Sequence, residues 1–192
     1  MSRAKNKKVY GVGINDADYQ TNNCPIYWRW KGMLCRGYSK KLKDKYTTYE
    51  DCSVCDEWLY FMTFRAWVVE QDWEGKQLDK DILLRGNKVY CPEYCVFVDR
   101  DVNTFITDSK GKRGEWPLGV SFQSARNKFR ADCKAHTVRK TIYLGLFTCP
   151  QEAHQAWCRY KHSVALQLAE LQTDTRVAEA LRTRYAEGTV HE

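Results

Sequence analysis

The chain has 192 residues, 43% of them hydrophobic and 14% aromatic, with seven Trp and twelve Tyr, enough to fill a core and to argue against wholesale disorder. No apolar run approaches the roughly 20 residues that span a bilayer, and the start lacks the apolar segment of a signal peptide, so a cytoplasmic protein with no membrane partner is expected. The net charge of +7 is concentrated: residues 110 to 161 carry +8, residues 1 to 109 carry +1 and residues 162 to 192 carry −2.

In chain order, Val9 to Ile14 alternates loosely and reads as a short strand. Between Pro25 and Tyr38, Tyr27, Trp30, Met33 and Leu34 fall at helical spacing, and Tyr60, Phe64, Trp67 and Val68 repeat in the same way, which predicts a second helix over about 56 to 70. Aromatics at this spacing are read as core. Two short extended pieces come next between Gln77 and Val98, around the turn residues Gly86 and Asn87, and then a helix or turn over 99 to 105. The polar, glycine-containing stretch 107 to 114 reads as a linker, which predicts a first region of residues 1–109. The nine cysteines read as mostly reduced thiols, while Cys52-x-x-Cys55 and Cys91-x-x-x-Cys95 together offer the donors of a structural Zn²⁺ site.

Beyond the linker, residues 119–123 and 128–133 alternate in polarity around a turn at 124–127, and a third strand is predicted at 141–144. Period-two counting puts Val120, Phe129, Ala131, Ile142 and Leu144 on one face, and Ser121, Gln123, Lys128, Arg130, Lys134 and Tyr143 on the other. Thr148 with Gln151 reads as a capping box opening a helix, with Pro150 tolerated in the first turn. Ala153, Ala156, Trp157 and Tyr160 form the stripe that would lie on the apolar face of the sheet. A localised positive face of this kind is the footprint of a phosphate-binding surface. Residues 166–192 read as a helical tail that either extends the preceding helix or forms a separate piece, with Val164, Leu168 and Leu171 in one stripe and Val177, Leu181 and Tyr185 in another.

The residues G-V at 119 to 120, N-K-F-R-A-D at 127 to 132 and Y-L-G-L-F-T-C-P-Q-E-A-H-Q-A-W at 143 to 157 resemble an AP2 DNA-binding domain, placed at residues 115–165. The resemblance implies a three-stranded antiparallel sheet packed on a helix, with the sheet entering the major groove of double-stranded DNA. It implies contacts from Ser121, Gln123, Arg126, Lys128, Arg130, Lys134 and Tyr143, with Arg139 and Lys140 beside the backbone. The family often has Arg where this chain has Ser121 and Gln123, and Trp where it has Tyr143, so no target sequence transfers. On this reading Lys128 and Arg130 are each expected to account for one phosphate's share of the salt dependence of binding.

AP2 modules of phage proteins often accompany an HNH nuclease domain. The runs L-D-K-D-I-L at 78 to 83, G-N-K at 86 to 88 and C-P-E-Y-C-V-F-V-D-R-D-V-N at 91 to 103 resemble its ββα layout. Lys80 stands where that family has its general-base His and Tyr94 where it has the central Asn, while Asn103 keeps the family residue. A protonated lysine cannot deprotonate water, and His136, His154, His162 and His191 all lie within or beyond the AP2-like segment. Asp79 and Asp81, two apart on a strand, share a face and offer carboxylates for Mg²⁺.

The expected protein is therefore α+β, a helical and degenerate HNH-like region followed by the AP2-like sheet, helix and tail. Its expected function is double-stranded DNA binding of the phage HNH/AP2 homing-endonuclease-like kind, in the host bacterial cytoplasm if phage-encoded. The alternatives are an active metal-dependent HNH-type endonuclease or nickase using Asp79, Lys80, Asp81 and Asn103, and a phage factor whose basic face meets an acidic host protein.

Overall fold

The computed structural model describes residues 8–107, 115–135 and 140–186, with mixed helices and small sheets. It divides into two compact units at Asp99 and Arg100. The expected boundary near residue 109 is thus displaced: the helix before the linker belongs to the second unit, because its apolar side chains are buried there. Of the linker itself, residues 108–114 lie outside the described residues.

In the first unit, helix α1 (Pro25–Tyr38) starts at a proline, whose missing N–H costs nothing at that position, and buries Ile26, Trp30, Met33 and Leu34. The Trp30 indole donates to Trp58 O at 2.7 Å, so this fully buried tryptophan leaves no polar atom orphaned. A short lysine-rich helix, α2 (Lys40–Lys45), comes next, capped by Ser39. The second predicted helix is broken: a 3₁₀ turn over Asp56–Leu59 precedes α3 (Phe61–Val69). Tyr60 sits in the break and is exposed, because Ile14 bridges to this point through Ile14 N to Leu59 O and Phe61 N to Ile14 O. Pairing with a distant segment overrides local helical periodicity here. The expected strand over Val9–Ile14 is instead a tight loop closed by a Val9–Gly13 bridge.

Four very short strands complete the described part of this unit. β1 (Ser53–Val54) pairs in parallel with β3 (Val89–Tyr90), and β2 (Gln77–Asp79) pairs antiparallel with β4 (Val96–Val98). The two extended pieces flanking Gly86 and Asn87 therefore take different partners and do not form a hairpin.

The second unit begins with α4 (Arg100–Ile106). Its sheet runs β5 (Val120–Gln123), β6 (Lys128–Ala135), β7 (Lys140–Phe147), all antiparallel in that order. β7 is longer than predicted and carries a bulge opposite Ala131 and Asp132, so that Leu144 is the extra residue and Gly145 takes φ +136°. Helix α5 (Pro150–Glu170) runs over one sheet face and absorbs the start of the predicted tail, while α6 (Thr175–Arg184) packs back on it through Val177, Ala178 and Leu181. The expected capping box is not formed: Cys149 is the N-cap, and its Sγ donates to Gln151 Oε1 at 2.8 Å. No helix among the described residues is long and apolar enough to cross a membrane.

Candidate nucleic-acid interface

The strand register fixes which side chains share a face. Val120, Ala131 and Gly145 stand opposite one another, as do Cys133 and Ile142, and Ala131 and Cys133 are buried on the α5 side. The alternate positions, Ser121 with Arg130, Gln123 with Lys128, Asp132 with Tyr143 and Lys134 with Thr141, then occupy the outer face. Six of the predicted contact residues are thereby brought onto one surface: Ser121, Gln123, Lys128, Arg130, Lys134 and Tyr143. Arg126 is exposed on the 3₁₀ turn between β5 and β6, a turn that ends with Asn127 in the left-handed region. Lys140 pairs with Ala135 and so has the other parity, at the end of the sheet rather than on the outer face. Arg139 lies outside the described residues. The expected placement of Leu144 beside Ile142 on the apolar face is displaced by the bulge.

The residues expected on this face did not include an acid, yet one stands there. Asp132 accepts from Arg130 Nη2 at 2.8 Å, with Arg130 Nε 2.7 Å from its other oxygen, and the guanidinium lies 5.2 Å above the Tyr143 ring centroid. The hydrogen bond to Asp132 holds Arg130 still more firmly protonated than usual. The signal is present in the sequence, since counting by two from Lys128 reaches Asp132, but a search for basic residues passes over an acid.

The inner face is closed by α5. Gly119, at φ +77°, is seated against the Trp157 indole so closely that a Cβ there would overlap it. His154 donates from Nδ1 to Leu118 O at 2.8 Å and stacks on Trp157, leaving Nε2 to accept from the Cys158 thiol at 3.5 Å. His154 is thus a packing residue of the helix–sheet seam.

The nuclease-like segment assembles differently from the resemblance. β2 ends at Asp79, whose Oδ1 accepts from the backbone of Asp81 at 2.8 Å and Ile82 at 2.7 Å, the turn-forming habit of Asp. Asp79 and Asp81 therefore do not share a strand face. Lys80 is buried, donating to Asn87 O at 2.9 Å and Asp81 Oδ2 at 3.1 Å, and it anchors the 80–88 loop, where Asn87 bonds Lys80 O and Val89 O in return. Asn103 stands on α4, which belongs to the second unit, so the strand–strand–helix continuity is divided between two units. Tyr94 is exposed.

These residues do not fit a catalytic Mg²⁺: one carboxylate oxygen is spent on backbone donors, and the Lys80 ammonium already neutralises Asp81. Zn²⁺ fits no better. The β1–β3 register brings Cys55 beside Cys91, whose carbonyl accepts from Cys95 N, but Cys52 donates to Thr48 O at 3.7 Å instead. Burial pushes the thiols of Cys55, Cys91 and Cys95 up, and among the described residues no three His, Cys, Asp or Glu side chains form a group able to hold a metal ion.

Burial, with the nearby Asp81 charge, pushes the Asp79 carboxyl from 3.8 up to about 6. Between those values the folded chain holds a proton that the unfolded chain has released, so this group's contribution to stability falls as pH rises through the window. The unfolding free energy from urea titration should fall by about 1 kcal/mol from pH 5 to pH 7, a loss that is absent in Asp79→Asn. An identical pH dependence in the variant would contradict the burial of this carboxyl.

No family model matches the sequence, and no match is found among curated proteins or solved structures.

Proposed function

We propose that the protein binds double-stranded DNA, presenting the outer face of the β5–β6–β7 sheet to the major groove in the manner of AP2 domains, and that its HNH-like segment is a structural remnant without nuclease activity. The observation that carries this reading is the register, which gathers Lys128, Arg130 and Lys134 with Ser121, Gln123 and Tyr143 on a surface left open by α5. A major groove about 12 Å wide admits two paired β-strands, and polar side chains standing on rigid strands can reach base edges while lysines reach phosphates. The non-catalytic half of the proposal is supported by Lys80, whose amino group is committed to Asn87 and Asp81.

Gel-shift binding to a pool of random duplexes, with sequencing of the retained fraction, tests the first half. Retention at physiological salt is expected, weakened roughly tenfold or more in Lys128→Ala/Lys134→Ala. Absence of retention would favour the acidic-protein alternative. Plasmid nicking with Mg²⁺ or Mn²⁺ tests the second half, and nicking abolished by Asp79→Ala would overturn it.

A further inference from the structure

The Arg130–Asp132–Tyr143 arrangement assigns distinct jobs to the cations of the outer face, resting on the proposal that this face meets DNA. Asp132 occupies the Nε/Nη2 edge of the guanidinium, and the Tyr143 ring packs against the group. A guanidinium carries five N–H donors in a planar fork. With one edge taken, the Nη1/Nη2 end still offers two parallel N–H groups, which suits either the O6 and N7 acceptors of guanine or two oxygens of one phosphate.

The Asp132 carboxylate decides between these. It cancels the charge of Arg130 locally, and a phosphate seated on the free edge would lie beside a second anion. A guanine edge is neutral and meets no such repulsion. Lys128 and Lys134, exposed on the same strand on either side of the pair, carry the positive charge that phosphates seek. We propose that Arg130 reads a guanine in the major groove, that Asp132 is the positioning residue that aims it, and that Lys128 and Lys134 supply the phosphate contacts. Arg130 then contributes base preference and little of the salt dependence, the reverse of the sequence-based expectation.

The test measures base preference and the slope of log affinity against log salt for the full chain, Arg130→Ala, Asp132→Asn, Asp132→Glu and Lys128→Ala, with a thermal melt of each. The full chain should enrich one guanine position. Arg130→Ala should lose that preference by about tenfold with an unchanged slope, whereas Lys128→Ala should lower the slope by about 0.9. Asp132→Asn should weaken the same guanine preference and Asp132→Glu restore part of it. If Arg130→Ala lowers the slope as Lys128→Ala does and leaves base preference intact, Arg130 is a phosphate contact and the proposal fails while DNA binding stands. Two results at Asp132→Asn also overturn it: a lower melting temperature with guanine preference unaltered, or loss of a cytosine preference instead. Failure of the folded full chain to retain any duplex removes this inference together with the DNA-binding reading.

Discussion

Gly119→Ala should lower the stability of the second unit by about 3 kcal/mol, read as a drop of roughly 10 °C or more in its melting temperature. Two costs add. The backbone at Gly119 has φ +77°, a region in which a Cβ costs roughly 1–2 kcal/mol. The added methyl would also overlap the Trp157 indole, a rigid ring with no flexible end to yield. Since Trp157 is the side chain through which α5 meets the start of β5, relief requires the helix to move off the sheet. Gly75 supplies the control: its φ is +72° but no atom lies within 4 Å of a Cβ there, so Gly75→Ala should cost only about 1 kcal/mol. Equal effects at the two glycines would contradict the packing described for Trp157.

The second large effect is expected at Lys161, a lysine of α5 that is 5% exposed. Its amino group donates to Phe105 O at 2.6 Å and lies 3.6 Å from the Phe105 ring centroid, with the Trp157 and Tyr185 rings at 5.6 and 5.2 Å. Phe105 belongs to the last turn of α4, where carbonyls have no intrahelical partner and the helix dipole favours a cation. Arg184 does the same for Ile106 O at 3.1 Å from α6, so the end of α4 is held by cations from both of the later helices. Burying an ammonium is costly, but deleting it leaves the carbonyl orphaned as well as a cavity, and those losses are the larger. Lys161→Ala should destabilise by about 3 kcal/mol and Lys161→Met, which keeps the volume, by about 1 kcal/mol. A Lys161→Met chain more stable than the original would show that the buried charge is a net burden.

The range of each interaction decides whether the sequence discloses it. The α1 stripe, the three strands of the second unit and the turn at 124–127 are legible because each is dictated by periodicity within a few residues. The two sheet faces are legible for the same reason, up to the bulge at Leu144, which no local pattern announces. The break at Tyr60 is not, since it exists only because Ile14 arrives there from far along the chain. Nor is the boundary: polar residues mark a linker from residue 107, yet Phe105 and Ile106 are buried and their carbonyls accept from Lys161 and Arg184, and this draws α4 into the second unit. The candidate site reads from the sequence as a set of basic residues, and the acid in its middle is hidden as long as charge is summed over the segment rather than mapped onto the pleat. The spacing of the nuclease-like residues matches a motif, but Lys80 and Asp79 spend their polar atoms on a loop, which only the folded geometry reveals.

Contact between the outer face of the sheet and duplex DNA is tested most directly by a salt titration of binding. Affinity of the full chain for a duplex should fall linearly on a log–log plot against salt, with the slope reduced by about 0.9 for each of Lys128→Ala and Lys134→Ala. Slopes unchanged by both substitutions, or no binding to duplex DNA at physiological salt by the folded chain, would contradict it.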